Sequence, residues 1–335
     1  MAYIKAISTF TPSSPSGNFL TNSQLRDDFP DVDIDKIAKG VGVNQRYVAK
    51  ECQTASDLAY EAAKKMFDEW DIKPDIIDFI IFATQSPDHF LPASSCILQD
   101  RLGIPTTAGA FDFDLGCSGY AYGLAIAKSF VESGLASNVL LLTGDTISKY
   151  LHKEDKNRML FGDSATASLI SKDGFAEIGE SVCGTDGSGY ESIIVKNRAS
   201  RHLLTTGNET VDDQENIRRD DYFYMNGEQV FNFTIDRVPK LIEDTILKNG
   251  TDKDDIDYYV FHQANKFMLN TIRKVCGIAK DKFYINLENI GNTTSSSIPN
   301  GLKDCLDRNI IQKGQKVMIA GFGVGLSWSA TVLKF

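Results

Sequence analysis

No apolar run in this chain approaches the roughly 18 residues that a membrane-crossing helix needs, and the opening MAYIKAISTFTPSSPSG lacks the long apolar core of a secretory leader. Neither a membrane protein nor an exported one is expected; a cytoplasmic one is. Positive charge is in deficit, with 35 Lys and Arg against 45 Asp and Glu and a net charge of −10. A general nucleic-acid or anionic-membrane binder would need the opposite balance to offset phosphate charge. Cysteine is sparse: Cys52, Cys96, Cys117, Cys183, Cys276 and Cys305 show no CxxC spacing, so neither a zinc site nor a disulfide framework is expected. In a reducing compartment, five of the six read as small buried apolar residues. Histidine is scarcer still, with four in the chain and no pair at metal-ligand spacing.

What is present is ample apolar material. The 335 residues are 42% hydrophobic, enough for a sizeable core and for two domains or two similar halves. FIIFAT (79–84), NVLLLTG (138–144), DYYVFHQ (257–263) and KVMIAGFG (316–323) read as strands buried on both faces. Amphipathic stretches lie between them. TASDLAYEAAKKMFDEW (54–70) opens on Thr54 or Ser56 as a cap; NFTIDRVPKLIEDTILKNG (232–250) ends at Gly250 and carries Pro239, which is expected to disturb a helix there. Strands alternating with helices imply an α/β protein with largely parallel sheets. Residues 185–222 are polar and weakly periodic and read as loops with one short strand at SIIV.

The halves echo each other. DFIIF (78–82) matches DYYVF (257–261) at 257 − 78 = 179, and NVLLLTG matches KVMIAGF at 316 − 138 = 178. Two nearly equal offsets point to a duplicated unit. Buried parallel strands also resemble one another simply by being rich in Val, Ile and Leu.

Chemistry is suggested first by FDFDLGCSGYAYG (111–123). Ala110–Leu115 reads as a strand and Ser118–Leu135 as a helix, which puts Cys117 where a strand hands over to a helix N-terminus. Unpaired N–H groups and the helix dipole stabilise a thiolate at such a place. A buried cysteine at a strand end fits the same position. His262, in FHQAN, closes another apolar strand, and ligands in α/β proteins gather beyond the carboxyl ends of strands. A satisfied core histidine reads equally well there. Asn292 sits in the loop ENIGNTTSSSIPNG, where asparagine usually makes turns. AGFGVGLSWSA (320–330) is not followed by the unit that a nucleotide fingerprint requires; a glycine turn exposing backbone N–H groups suits an oxyanion hole instead.

Taken together, DLGCSGYAYGL, RMLFGDSATASLI, FHQAN, IGNTTSSSIP and the ending GFGVGLSWSATVLKF resemble the β-ketoacyl-ACP synthase III family of the thiolase superfamily over nearly the whole length. The resemblance implies a thiolase-like five-layered αβαβα fold built from two similar halves, here 1–172 with Cys117 and 173–335 with His262 and Asn292. It also implies a homodimer, an acyl carrier protein as partner, and an acyl-CoA or acyl-carrier donor, with no metal or redox cofactor. Carried over, Cys117 becomes the acylated nucleophile, and the backbone N–H groups of Cys117 and Val324 become the oxyanion hole. His262 and Asn292 become the donors that stabilise the enolate left when a malonyl thioester loses carbon dioxide. Leu91, in HFLPASSC, matches a position that closes the acyl pocket across a dimer interface, although a dimer-core leucine reads as well. Lys266, Arg273 and Lys274, just after His262, are candidates for carrier-protein docking.

Some positions depart from the family pattern. The segment DIDKIAKGVGV (33–43) lacks the Trp and Arg that hold a CoA adenine, Phe267 stands where an arginine is common, and Val324 replaces a glycine. The first two changes favour a longer primer, or one delivered on a carrier protein, over acetyl-CoA, and make a specialised pathway an alternative to fatty-acid initiation; Val324 leaves the backbone donor in place but is expected to narrow the pocket. A second reading keeps the acyl-cysteine but passes the acyl group to an alcohol or amine without decarboxylation. A cysteine hydrolase of α/β-hydrolase type fails because its elbow needs glycine where this chain has Leu115.

Overall fold

Successive side chains of a strand point to opposite faces, so a strand buried along its whole length must lie between two layers. The computed structural model, which describes residues 1–12, 19–211 and 217–335, shows this for each apolar run. The strands that build the sheet are β1 (Tyr3–Phe10), β2 (Phe79–Ala83), β3 (Gly109–Phe113), β4 (Asn138–Asp145), β5 (Ser164–Ser171), β6 (Ala176–Ile178), β7 (Val182–Thr185), β8 (Tyr258–Phe261), β9 (Lys316–Gly323) and β10 (Ser327–Lys334). Their order is β8-β9-β10-β6-β1-β5-β4-β2-β3, with β7 also paired to β10. In the first half β2 runs parallel to β4, which is antiparallel to β5, and β5 to β1. In the second, β8 runs parallel to β9, which is antiparallel to β10, and β10 to β6. A short pairing, Tyr3 to Glu177 and Ile4 to Ala176, joins the two half-sheets.

Five helices complete the layers: α1 (Ala55–Glu69), α2 (Gly119–Ser133), α3 (Gly227–Lys248), α4 (Lys266–Val275) and α5 (Ser297–Asp307). Ile80, Phe82, Leu140 and Leu142 pack outward against Leu58, Ala59, Ala62 and Met66 of α1. Ile81, Val139 and Leu141 face the other way, toward Tyr120 and Leu124 of α2; Val317 and Ile319 meet the same central cluster, which includes Ile298 and Leu302 of α5. Met318, Ala320 and Phe322 turn outward again onto Val238, Leu241 and Ile242 of α3 and Leu269 and Ile272 of α4. The result is α, β, α, β, α. No helix among the described residues is long and apolar enough to cross a membrane.

Local chemistry sets the helix ends. The Thr54 hydroxyl accepts the Asp57 N–H while the Asp57 carboxylate accepts the Thr54 N–H, a reciprocal cap at the start of α1. Helix α3 begins earlier than its apolar pattern suggests, at the Asn226 cap, and it runs through Pro239 rather than stopping there. Proline removes one N–H from the ladder, but Val238, Leu241 and Ile242 on either side are fully buried and hold the helix against the sheet. Gly250, with φ +55°, follows the last turn as expected.

The sheet is mixed rather than largely parallel: among the described residues only β2–β3, β2–β4 and β8–β9 pair in parallel. Two further expectations are corrected. Of the five cysteines read as buried, only Cys305 is; Cys52, Cys96 and Cys183 are exposed in the single chain and Cys276 is half-buried. Composition ranks cysteine as a buried type but says nothing about which strand face or loop a given one occupies. The segment 185–222 holds more than one strand: Ile193–Val195 pairs with Phe223–Met225, and Glu209–Val211 with Ile217–Arg219. Strands of three residues are too short to leave a periodic trace. Residues 13–18, within the stretch read for a leader, and 212–216, within the stretch read as loop, lie outside the described residues.

Candidate active site

The parallel strands of the two halves, β2, β3 and β4 in the first and β8 and β9 in the second, end at one place. Cys117 occupies the turn between β3 and α2, where the Gly119 N–H donates to the Gly116 carbonyl at 2.8 Å. The end of β9 lies directly against it. A Cβ on Gly321 would stand 2.5 Å from the Cys117 carbonyl oxygen, and one on Gly323 2.7 Å from Sγ. Only glycine permits this approach. The Val324 N–H and the N–H of Cys117 itself both favour thiolate at the sulfur, but burial outweighs them and pushes the thiol up to about 12, with the charge of Asp145 adding to the rise. The resting sulfur is therefore a neutral thiol.

The Val324 turn is fixed from behind. The Ser327 hydroxyl donates to the Val324 carbonyl at 2.8 Å and lies 2.7 Å from the hydroxyl of Ser118, the residue after the cysteine. One hydroxyl chain thus ties the start of α2 to the loop that supplies the second backbone donor.

His262 follows directly on β8, its N–H donating to the Ala320 carbonyl at 2.8 Å. Its Nδ1 is 2.7 Å from the Ser297 hydroxyl and its ring stands edge-on to Phe322. Burial lowers its pKa to about 3, partly offset by a hydrogen bond to the Thr294 backbone, so the imidazole is neutral. Asn292 is held by its main chain between Leu160 and Gly162. Its Oδ1 accepts the Thr294 N–H at 2.9 Å, and its Nδ2 donates to the Ala264 carbonyl at 3.3 Å.

Cys117, His262, Asn292 and Val324 line one cavity of about 670 Å³, including its open mouth. Its walls are largely apolar: Ile147, Leu160, Phe161, Ile193, Phe223 and Met225 among them. Gln85, Ile147, Ile193, Phe223 and Val324 also line an adjoining cleft, which holds Phe90 and Leu91. Leu91 is 84% exposed and does not reach the cavity of its own chain. The three docking candidates differ in their freedom. Lys274 is exposed, and Lys266 is exposed with its stem against Gly42. Arg273 donates to the Ile278 carbonyl at 3.0 Å, which commits its guanidinium to the end of α4. Phe267, 61% exposed, stacks on Phe231 with ring centroids 5.6 Å apart.

Sequence reasoning missed Ser297, Gln85 and Asp145. Ser297 lies in a hydroxyl-rich run that reads as loop. Asp145 is the acid one residue beyond the apolar run 138–144, and its position at a strand's carboxyl end was the signal available.

Two family descriptions match the chain: 3-oxoacyl-[acyl-carrier-protein (ACP)] synthase III over residues 111–187, and its C-terminal part over 246–335. The beta-ketoacyl-[acyl-carrier-protein] synthase III of Caldanaerobacter subterraneus subsp. tengcongensis is 35% identical, across 94% of this chain and 93% of its own. A crystal structure of a 3-oxoacyl-(acyl-carrier-protein) synthase III superposes with a TM-score of 0.95 at 43% identity, covering 100% of this chain and 99% of that one. The 3-oxoacyl-(acyl-carrier protein) synthase of Burkholderia xenovorans superposes at 0.90 with 32% identity, covering 99% and 93%.

Proposed function

The chain belongs to the 3-oxoacyl-[acyl-carrier-protein] synthase III family, and from that premise we propose that Cys117 carries the acyl group while His262 and Asn292 serve the condensation. The protein is a condensing acyltransferase of thiolase-like fold. Its reaction joins an acyl group to a malonyl thioester with loss of carbon dioxide, giving a β-ketoacyl thioester. The observation that carries the assignment of residues is the meeting of a thiol, an imidazole and a carboxamide in one apolar cavity.

In the first step the Cys117 sulfur attacks the thioester carbonyl of the donor. Its proton leaves with the departing carrier thiolate, and the N–H groups of Cys117 and Val324 hold the oxyanion of the tetrahedral intermediate. In the second, the malonyl C–CO₂ bond breaks and its electron pair passes into an enolate. Neutral His262 and the Asn292 amide stabilise that oxygen as N–H donors; a histidine held neutral by burial suits this role, since it donates without needing a proton from solvent. The enolate carbon then bonds to the acyl carbonyl, the C–S bond to Cys117 breaks, and the thiolate takes a proton. Every bond is accounted for without a metal or redox group. The alternative transfer to an alcohol or amine would leave His262 and Asn292 with no enolate to serve.

The primer is an acyl chain longer than acetyl, or one carried on acyl carrier protein; the apolar walls running from Cys117 toward the open cleft support this. The exposed Phe90 and Leu91 beside that cleft support a homodimer in which Leu91 closes the partner's acyl pocket. Lys266 and Lys274 are the freer candidates for docking the carrier, with Arg273 secondary. Six free thiols, three of them exposed, fit a reducing cytoplasm. The boundary between the halves falls at 172/173, in the turn between β5 and β6.

Intact-mass measurement after incubation with a panel of acyl-CoA and acyl-carrier thioesters tests the nucleophile. One acyl adduct is expected on the wild-type chain and none on Cys117→Ser. An equal adduct on the variant would overturn the assignment.

A further inference from the structure

Asp145 is a buried ionisable group beside the cavity that the chemistry above leaves unused. It is the last residue of β4 and only 1% exposed. Its Oδ1 accepts the Gln85 N–H at 2.7 Å. Its Oδ2 accepts the Ser295 hydroxyl at 2.6 Å, the Thr294 hydroxyl, and the Ser295 N–H at 3.4 Å. All of these donors are neutral. A buried carboxylate without a cationic partner is costly unless hydrogen bonds satisfy it. Burial does dominate here, raising the carboxyl to about 6 against the pull of those donors.

The residues it holds are the ones that matter to the second half-reaction. Thr294 donates its N–H to the Asn292 Oδ1 at 2.9 Å, and its backbone also meets the His262 ring. One carboxylate oxygen therefore anchors, through a side-chain hydroxyl, the residue whose main chain touches both enolate donors. Cys117 has a separate support: its backbone donors are its own N–H and that of Val324, and the hydroxyl chain behind them runs through Ser118 and Ser327.

Building on the proposed function, we propose that Asp145 is a positioning residue for decarboxylation and not for acyl transfer. Clamping Thr294 and Ser295 fixes the angle at which Asn292 and His262 meet the malonyl carbonyl. Loosening that turn displaces the enolate donors while leaving the thiol and its oxyanion hole in place. The carboxylate charge also disfavours thiolate at Cys117, so its loss does not slow the first step. A positioning error of about 1 Å costs on the order of 10²-fold in rate, which sets the scale of the effect.

The test compares the two half-reactions in Asp145→Asn and Ser295→Ala, each in the full-length protein. Acylation of Cys117 is followed by intact mass, and decarboxylation by release of label from carboxyl-labelled malonyl-carrier thioester. For Asp145→Asn, label release per acylated cysteine should fall roughly 10- to 10²-fold, with acylation no slower than wild type and the KM for the malonyl donor unchanged. Ser295→Ala should move the same way by a smaller factor, and it decides the matter if Asp145→Asn does not fold. Wild-type label release in Ser295→Ala and in any folded Asp145→Asn would overturn the proposal. So would a fall of both half-reactions in proportion, which marks a merely structural part. Failure of the wild-type chain to acylate Cys117 would count against the proposed function instead.

Discussion

In the first half β2 and β4 run parallel with Phe79 opposite Val139, and in the second β8 and β9 do the same with Tyr258 opposite Val317. The offsets are 258 − 79 = 179 and 317 − 139 = 178. The central helices begin at Gly119 and Ser297, again 297 − 119 = 178 apart. By the same offset Cys117 corresponds to Ser295, since 295 − 117 = 178, and Asp145 to Gly323, since 323 − 145 = 178. Each half therefore sets a helix start against the strand end of the other half, and the two crossings are chemically opposite. At one, a thiol faces a glycine whose missing side chain leaves the sulfur room to meet the Val324 N–H. At the other, a serine hydroxyl donates to a carboxylate. On the proposed roles, one framework yields an open crossing for the acyl group and a closed one behind the enolate donors.

The comparison can be broken at either crossing. The largest effect is expected from His262→Ala or Asn292→Ala: each removes one proposed enolate donor and should cut condensation by about 10²- to 10³-fold, the usual cost of such a loss. The Cys117 adduct should still form, so intact mass separates the two steps. Next comes Gly323→Ala, which would fill the open crossing with a methyl 2.7 Å from Sγ. Acylation should slow by about 10²-fold, seen as a delayed adduct.

The charged crossing leaves a trace on the thiol. Because burial and Asp145 hold Cys117 up to about 12, less thiolate is present at any lower pH than for an ordinary cysteine. Alkylation at Cys117, followed by peptide mass, should climb about tenfold per pH unit from pH 7 to 10 without levelling. A plateau near pH 9 would show an ordinary thiol. The smallest effect is expected from Ser118→Ala. It breaks the hydroxyl link to Ser327 and should cost about 1 kcal/mol in urea denaturation.

How legible all this was varies by residue. β9 forms over Lys316–Gly323, the very bounds of its apolar run, because burial on both faces demands an uninterrupted apolar string. The run 138–144 stops one residue short of β4, and the omitted residue is Asp145. Counting apolar positions discards an acid, although an acid at a buried strand's end is where chemistry gathers. Cys117, His262 and Asn292 were each ambiguous alone, since a turn asparagine, a core histidine and a buried cysteine obey the same local rules as functional ones. Their convergence depends on two half-sheets folding onto one another, which no local window contains. The Ser297 contact to His262 was hidden for the same reason, in a serine-rich stretch whose side chains could have met solvent equally well.

On the proposed function, the acyl group on Cys117 leaves only by carbon–carbon bond formation. This is tested by loading the wild-type chain with an acyl thioester, adding carboxyl-labelled malonyl-carrier thioester, and counting label released against acyl lost from the cysteine. One carbon dioxide per acyl group is the result expected. Loss of the acyl group to an added alcohol or amine, with no label released, would contradict it.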